Sequence, residues 1–463
     1  METYQDLIKK TFKFPNEDFN IEANNLLFNG LNLYDLSKKY GTPLRLTFLP
    51  KIKQKIDEAY GFFNKAFEIL DYKGKYTYTY CTKSNHFRFI IEETLKHNSQ
   101  IETSSAFDID IIKSLYRDQK LSKDTLIICN GFKRPQYIDN IVELINDGFN
   151  NCVPILDNLE EIKDYKKKVK GKYKIGIRCA TDEEPNFAFY TSRLGINYGQ
   201  IIDLYQTQIK DDVNIELKML HFFINTGIRD TTYYWSELNK MVYKYCELKK
   251  ICPELDTIDI GGGLPIKTSL NFDFDYEYVI KEIIKTIQRI CKENGVPDPN
   301  IISEFGSFTV SESGAMIYKV LDKKQQNDQE LWYMIDSSFI TNMPDTWALN
   351  QRFILIPINN FNSEPTKVNL GGLTCDSMDY YNSEAHSTNI YLPKFDSTKD
   401  EQFIGFFHTG AYQESIGGYG GLQHCLIPNT KHVVITQDEN GDFIDHLFRD
   451  EQTSEQMLSI LGY

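Results

Sequence analysis

Lys75-Tyr76-Thr77-Tyr78-Thr79-Tyr80-Cys81-Thr82-Lys83-Ser84-Asn85 decides how this chain is read. Alternating aromatic and β-branched residues from Tyr76 onward are a strand signal. A lysine just past the end of a first barrel strand stands where an enzyme would tether a carbonyl cofactor. A solvated surface lysine would look the same in isolation, so its surroundings along the chain must separate the two.

Similar β-rich runs recur downstream at Gln100 to Thr103, Leu126 to Asn130, Cys152 to Asp157, Lys174 to Cys179, Leu217 to Asn225, Thr257 to Gly261 and Ile301 to Gly306. Between them lie stretches such as Arg134 to Asn146 and Tyr276 to Glu293, whose apolar residues fall at helical spacing. Strands alternating with helices imply right-handed crossovers and a parallel sheet. Eight units favour a closed (β/α)8 barrel, although an open doubly wound sheet has similar spacing. Past about residue 310 the rhythm changes. The runs 331–336, 352–358, 367–370, 403–408 and 431–436 follow one another without regular helices, which predicts a mainly β domain of Greek-key or sandwich type. The expected division is a barrel over 46–310 and a β-domain made of 1–45 and 311–463, with the N-terminal β-like pieces pairing into the C-terminal part.

Composition narrows the function classes. A chain of 463 residues with 41% apolar and 13% aromatic content predicts two packed domains. Its 65 acidic against 51 basic residues give a net charge of −14, which argues against nucleic-acid backbones and anionic membranes as partners. The N-terminus carries no basic-then-apolar leader, and no apolar run approaches bilayer length. Nine cysteines without a Cys-x-x-Cys pair read as reduced thiols of a cytoplasmic protein. Eight histidines without His-x-x-x-His or mixed Cys/His spacing give no zinc signal, and no metal site is expected.

In a barrel the chemistry lies at the C-terminal ends of the strands, with phosphate often bound after strands seven and eight. The ends here are unusual: Lys83 after strand one, Arg178 at strand five, Asp259-Ile260-Gly261-Gly262-Gly263 at strand seven and Glu304-Phe305-Gly306 at strand eight. Three successive glycines let backbone N–H groups approach a phosphate, and equally suit a tight turn. Arg178 equally suits a structural ion pair. A lysine, a phosphate cradle, an arginine and a carboxylate at one rim fit pyridoxal 5'-phosphate.

That set resembles the fold-type III pyridoxal-phosphate decarboxylases, the family of ornithine, diaminopimelate and arginine decarboxylases. The likeness runs through nearly the whole chain. It rests on Tyr40-Gly41-Thr42-Pro43-Leu44, Tyr80 to Asn85, Glu102 to Ile109, Ser192-Arg193-Leu194-Gly195-Ile196, the glycine triplet, Thr374-Cys375-Asp376-Ser377-Met378-Asp379 and Gly410-Ala411-Tyr412. Ile127 to Lys133 and Leu220-His221-Phe222 are most similar to the biosynthetic arginine decarboxylases, although this chain lacks their inserted regions.

The resemblance implies a homodimer with shared active sites, acting on a basic amino acid. Arginine, yielding agmatine for polyamine synthesis, is the first choice over diaminopimelate, ornithine, lysine or carboxynorspermidine. Lys83 would tether the cofactor, and Glu304 would keep its pyridine nitrogen protonated. Gly261, Gly262, Gly263, Thr226 and Tyr412 would bind the phosphate. Cys375 would come from the partner subunit to reprotonate the α-carbon, with Asp376 near the cationic end of the substrate; Asp336 and Asp379 also suit a cationic tail.

The chain departs from the family in three places. Phe223 stands where a histidine stacks on the cofactor, with His221 two residues earlier on the same side of an expected strand. Ser307 replaces a phosphate-binding arginine. No proline follows Gly371. A cofactor-poor regulatory homologue, like the antizyme inhibitors, is the alternative class, but it has no reason to retain Lys83, Glu304, Cys375 and Asp376 together. A racemase is disfavoured by the carboxylate at 304.

Overall fold

A computed structural model describes residues 2–182, 192–414 and 423–463. They fall into two compact units. One comprises Lys53–Pro265 and Phe274–Thr309; the other comprises Met1–Ile52, Ile266–Asp273 and Val310–Tyr463.

The first unit is a closed parallel barrel. Its strands are β1 (Tyr76–Cys81), β2 (Gln100–Thr103), β3 (Ile127–Cys129), β4 (Cys152–Leu156), β5 (Tyr173–Arg178), β6 (Ile215–His221), β7 (Thr257–Asp259) and β8 (Asn300–Glu304). Closure is made by β8 against β1, with Ile301 opposite Tyr76 and Glu304 opposite Thr79. This excludes the open doubly wound sheet. Strands buried on both faces explain the tyrosine–threonine run at β1. Tyr76 stacks on Phe63 with ring centroids 3.8 Å apart, Tyr78 bonds Thr309 Oγ1 through its hydroxyl at 2.6 Å, and Thr79 is fully buried. The crossover helices bury one stripe each. In the helix Tyr276–Glu293, Val279, Ile280, Ile283, Ile284, Ile287 and Ile290 are buried at helical spacing, and Asp275 caps the N-terminus through the Tyr278 amide.

Strand β6 ends sooner than its sequence suggests. The apolar run Leu217 to Asn225 reads as one strand, but residues 222–225 leave the sheet after His221. The Phe222 amide makes a last bond to the Asp259 carbonyl, and the chain then turns so that Gly227 meets Gly263. A Cβ on Gly227 would lie 2.5 Å from the Gly263 carbonyl oxygen, so only glycine allows the two loops to touch.

The second unit is built on a ten-stranded sheet. Leu44–Phe48 runs through its middle, antiparallel to Gly314–Gln325 and parallel to Lys431–Gln437. Leu44–Phe48 is therefore an interior strand of the C-terminal domain, whereas the β-like pieces before it, Phe19–Glu22, Asn25–Phe28 and Leu31–Asn32, form a three-stranded sheet of their own that meets the C-terminal part through one bridge, Asn25 to Asn359. Because Leu44–Phe48 and the turn after it pair here, the boundary lies at Ile52/Lys53 rather than at 45/46. Residues 266–273, expected within the barrel, also group with this unit: Lys267 bonds Glu17 at 2.8 Å, and its carbonyl accepts from or faces His408 Nδ1 at 2.8 Å. The unit is not purely β. Tyr4–Thr11, Leu33–Tyr40, Phe339–Asn342, Pro344–Ala348 and Ser454–Leu461 are helical. Two apolar clusters fill it, one around Leu46, Phe48, Ile317 and Val433, the other around Tyr318, Phe339, Tyr381 and Phe406.

Candidate active site

Seven polar side chains gather at the C-terminal rim of the barrel. Each stands at, or within two residues of, the end of a strand: Lys83, Glu102, Asn130, Arg178, His221, Asp259 and Glu304. Parallel strands in one register bring such residues to a common edge.

Glu304 is at the centre. The Asn130 side-chain amide donates to Glu304 Oε1 at 2.6 Å and to Glu102 Oε1 at 3.1 Å, so one amide bridges two buried carboxylates. His221 Nε2 lies 3.3 Å from Glu304 Oε2. The Lys83 ammonium donates to Glu102 Oε2 at 2.6 Å, and its side chain keeps 43% of its exposure above the fully buried Glu102. Burial alone would raise the Glu304 carboxyl, but His221, Lys83 and Asn130 outweigh it and hold the group at about 2. Asp259 goes the other way: burial first, and the Glu304 charge second, push its carboxyl well above the usual range. At Lys83, burial opposes the charge, but the Cys81, Glu102 and Glu304 side chains outweigh it and raise the ammonium well above its ordinary value. The rim thus presents an amine paired with Glu102, next to a Glu304 carboxyl that its neighbours hold low.

Beside it lie the glycines. Gly261 and Gly263 adopt positive φ of 68° and 94°. A Cβ on Gly262 would meet the Glu304 carbonyl oxygen at 2.4 Å, so this loop lies directly on the end of β8. The Gly261 amide donates to Asp259 Oδ1 at 2.8 Å. Among the described residues, the Gly262 and Gly263 amides have no protein acceptor. Thr226 Oγ1, buried on the neighbouring loop, has no partner there either. Buried polar groups without partners are expensive, and an anion accepting from them relieves that cost.

Residues 53–311 match the pyridoxal-binding domain of the pyridoxal-dependent decarboxylases. The chain belongs to that family. Curated relatives of similar sequence include the biosynthetic arginine decarboxylase of Prochlorococcus marinus strain AS9601, 25% identical with 94% of this chain and 85% of the relative covered. That of Geobacter sp. strain M21 is 23% identical, covering 96% and 86%. Among solved structures, the biosynthetic arginine decarboxylase of Campylobacter jejuni matches with a TM-score of 0.82 at 21% identity, covering all of this chain and 91% of that one. A diaminopimelate decarboxylase from M. jannaschii matches at 0.80 and 19%, covering 96% and 97%.

Pyridoxal phosphate is the cofactor of this decarboxylase family, and the rim fits it. An amine suits the aldehyde, an ionised buried carboxylate suits a protonated pyridine nitrogen, and free glycine amides with an unpartnered threonine hydroxyl suit the phosphate.

Two family positions look different here. Phe223 and His221 do not share a face, because β6 stops at His221. The histidine is buried against Glu304, whereas Phe223 is 36% exposed with the Arg178 guanidinium 5.8 Å from its ring centroid. Ser307 opens the short helix Ser307–Val310. Glu102, Asn130 and Asp259 stand in stretches quoted from the sequence but received no role there. All three are strand-terminal, and asking what each polar residue at a barrel-strand end does would have singled them out.

The other expected site residues lie in the second unit. Cys375 and Asp376 occupy an exposed loop, where Cys375 Sγ is 3.4 Å from Cys425 Sγ and the Asp376 carboxylate accepts from the Met378 amide at 2.8 Å. Asp336 accepts from the Lys319 amide at 3.0 Å, and burial raises its carboxyl to about 6. Asp379 is occupied locally, accepting from the Phe339 amide and from the Thr374 amide and hydroxyl. Tyr412 sits at a positive φ of 66° after Gly410.

Proposed function

We propose that this decarboxylase acts on a basic amino acid, L-arginine by first choice, releasing CO2 and forming agmatine for polyamine synthesis. The observation that carries the chemistry is the rim itself: an amine at Lys83 paired with Glu102, which Asn130 bridges to a Glu304 carboxylate faced by His221. The likeness to biosynthetic arginine decarboxylases over 94% of the chain supports arginine over the other basic amino acids.

Bound pyridoxal phosphate supplies the sink for the electron pair left when CO2 departs. Lys83 would hold the cofactor through its ε-amine. Glu304 keeps a proton on the pyridine nitrogen. The Gly262 and Gly263 amides and Thr226 Oγ1 bind the phosphate; Gly261, Arg178 and Phe223 complete its surroundings, and Tyr412 is assigned to it by motif. Cys375 donates a proton to the α-carbon from a second copy of the chain, and Cys425 beside it raises its thiol, which keeps that proton in place. Asp376, from the same copy, receives the cationic end of the substrate. Asp336 is a weaker candidate for that role. The functional form is a homodimer, and a cytoplasmic location suits its free thiols. Among the described residues no helix is long and apolar enough to cross a membrane.

Protein purified with pyridoxal phosphate should show a visible band that borohydride traps on Lys83, and should release CO2 from L-arginine faster than from lysine, ornithine or diaminopimelate. Lys83→Ala should lose both signals. Preference for another of the four corrects the substrate alone. No band and no CO2 from any of them would leave the regulatory-homologue reading in its place.

A further inference from the structure

Fifty positions apart in sequence, Cys375 and Cys425 bring their sulfurs to 3.4 Å, and the Cys375 amide donates to Cys425 Sγ at 3.4 Å. His424 turns Nδ1 toward the same sulfur at 3.1 Å. Its other ring nitrogen, Nε2, faces Asp376 Oδ2 at 3.9 Å. The two sulfurs and one ring nitrogen all lie within 4.8 Å of one another, on exposed residues.

We propose that Cys375, Cys425 and His424 bind a thiophilic divalent cation of the Zn2+ type, with Asp376 orienting the imidazole. Metal bonds of about 2.3 Å to sulfur and about 2.0 Å to nitrogen, in a tetrahedron, place two sulfurs roughly 3.8 Å apart and a sulfur and nitrogen roughly 3.5 Å apart. The observed separations differ from these by a few tenths of an ångström. A disulfide is the competing use of the two thiols. It needs the sulfurs at about 2.05 Å, a far larger movement, and gives His424 and Asp376 nothing to do. An imidazole with one nitrogen at the thiols and the other toward a carboxylate is the arrangement by which metal-binding histidines are oriented. Two thiolates and an imidazole select zinc-like ions over Mg2+ or Ca2+. Each thiol releases its proton to solvent as the metal binds, so binding weakens on acidification. Three protein ligands leave a fourth position for water.

Spacing along the chain gives no hint of this site, because one ligand comes from the cysteine–aspartate loop and two from a segment far downstream. The site stands on these side chains alone; its consequence, that a bound metal withdraws Cys375 from proton donation, rests on the function proposed above.

The test uses full-length holoenzyme stripped of metal by a chelator, kept reduced with a phosphine, and titrated with Co2+ and then Zn2+. One Co2+ per chain should bind with a thiolate-to-cobalt charge-transfer band that Zn2+ abolishes. Cys425→Ser and His424→Ala should each lose the band, and either variant suffices if the other fails to fold. Asp376→Asn should weaken Zn2+ roughly 10–100-fold. Zn2+ should protect Cys375 from iodoacetamide in the wild type and not in His424→Ala. No binding, a band unchanged in both variants, or a Cys375–Cys425 disulfide persisting under reductant would overturn the site. Binding without inhibition of CO2 release would support the site and count against the role given to Cys375. Failure of decarboxylation itself would leave the cobalt titration readable.

Discussion

His221 Nε2 faces Glu304 Oε2 at 3.3 Å, with both side chains at least 95% buried at the ends of β6 and β8, across the intervening β7. A histidine absent from the expected stacking position is thus present one layer down, against the carboxylate that the chemistry needs ionised. His221→Asn should remove the imidazole that helps hold the Glu304 carboxyl low and let burial raise it from about 2. The acid limb of kcat/KM should move up, and each pH unit of that movement corresponds to about 1.4 kcal/mol of stabilisation lost by the carboxylate. A profile that stays in place would show that Asn130 and Lys83 suffice.

Cys375→Ala should cost roughly 10²–10⁴-fold in kcat, the usual scale for a positioned proton donor, while borohydride trapping on Lys83 persists. Mixing Cys375→Ala with Lys83→Ala protein should restore activity, since a mixed dimer holds one site with both groups. Mixtures as inactive as their parents would place both residues in one copy of the chain.

Phe223→Ala should loosen the cofactor without removing it. The Arg178 guanidinium rests 5.8 Å from the Phe223 ring centroid on a partly exposed surface. Such a contact contributes about 0.5–1 kcal/mol to holding the guanidinium in place, and if that loss passes to the cofactor its Kd rises two- to fivefold, measurable by fluorescence. An unchanged Kd would confine Phe223 to packing.

Asp336→Asn should flatten a pH slope in stability. Burial raises the carboxyl to about 6 from an ordinary 3.8, so the folded protein holds a proton that the unfolded chain releases between those values. Its contribution is full below about pH 3.8 and is lost as pH rises through 6, with a slope of at most about 1.4 kcal/mol per pH unit. Urea midpoints from pH 4 to 7 would show the slope vanish in the variant, in which asparagine still accepts from the Lys319 amide. A rise in KM for arginine in the same variant would instead give Asp336 a part in substrate binding.

The sequence by itself determined the repeating strand–helix pattern, the change of pattern near residue 310, and the lysine, glycine-loop and carboxylate ends of β1, β7 and β8. Those signals are local: side-chain alternation, helical spacing and glycine runs are written in neighbouring residues. It could not settle where β6 stops, because its apolar run continues past His221 and only the meeting of Gly227 with Gly263 ends it. It gave no sign that Asn130 bridges Glu102 and Glu304, that His221 lies against Glu304, or that Cys375 meets Cys425 and His424. Each of those is a contact between distant segments, fixed by barrel closure or sheet pairing. Lys83 was visible as a residue; its Glu102 partner, and the Asn130 bridge from there to Glu304, come together only once eight strands close in register.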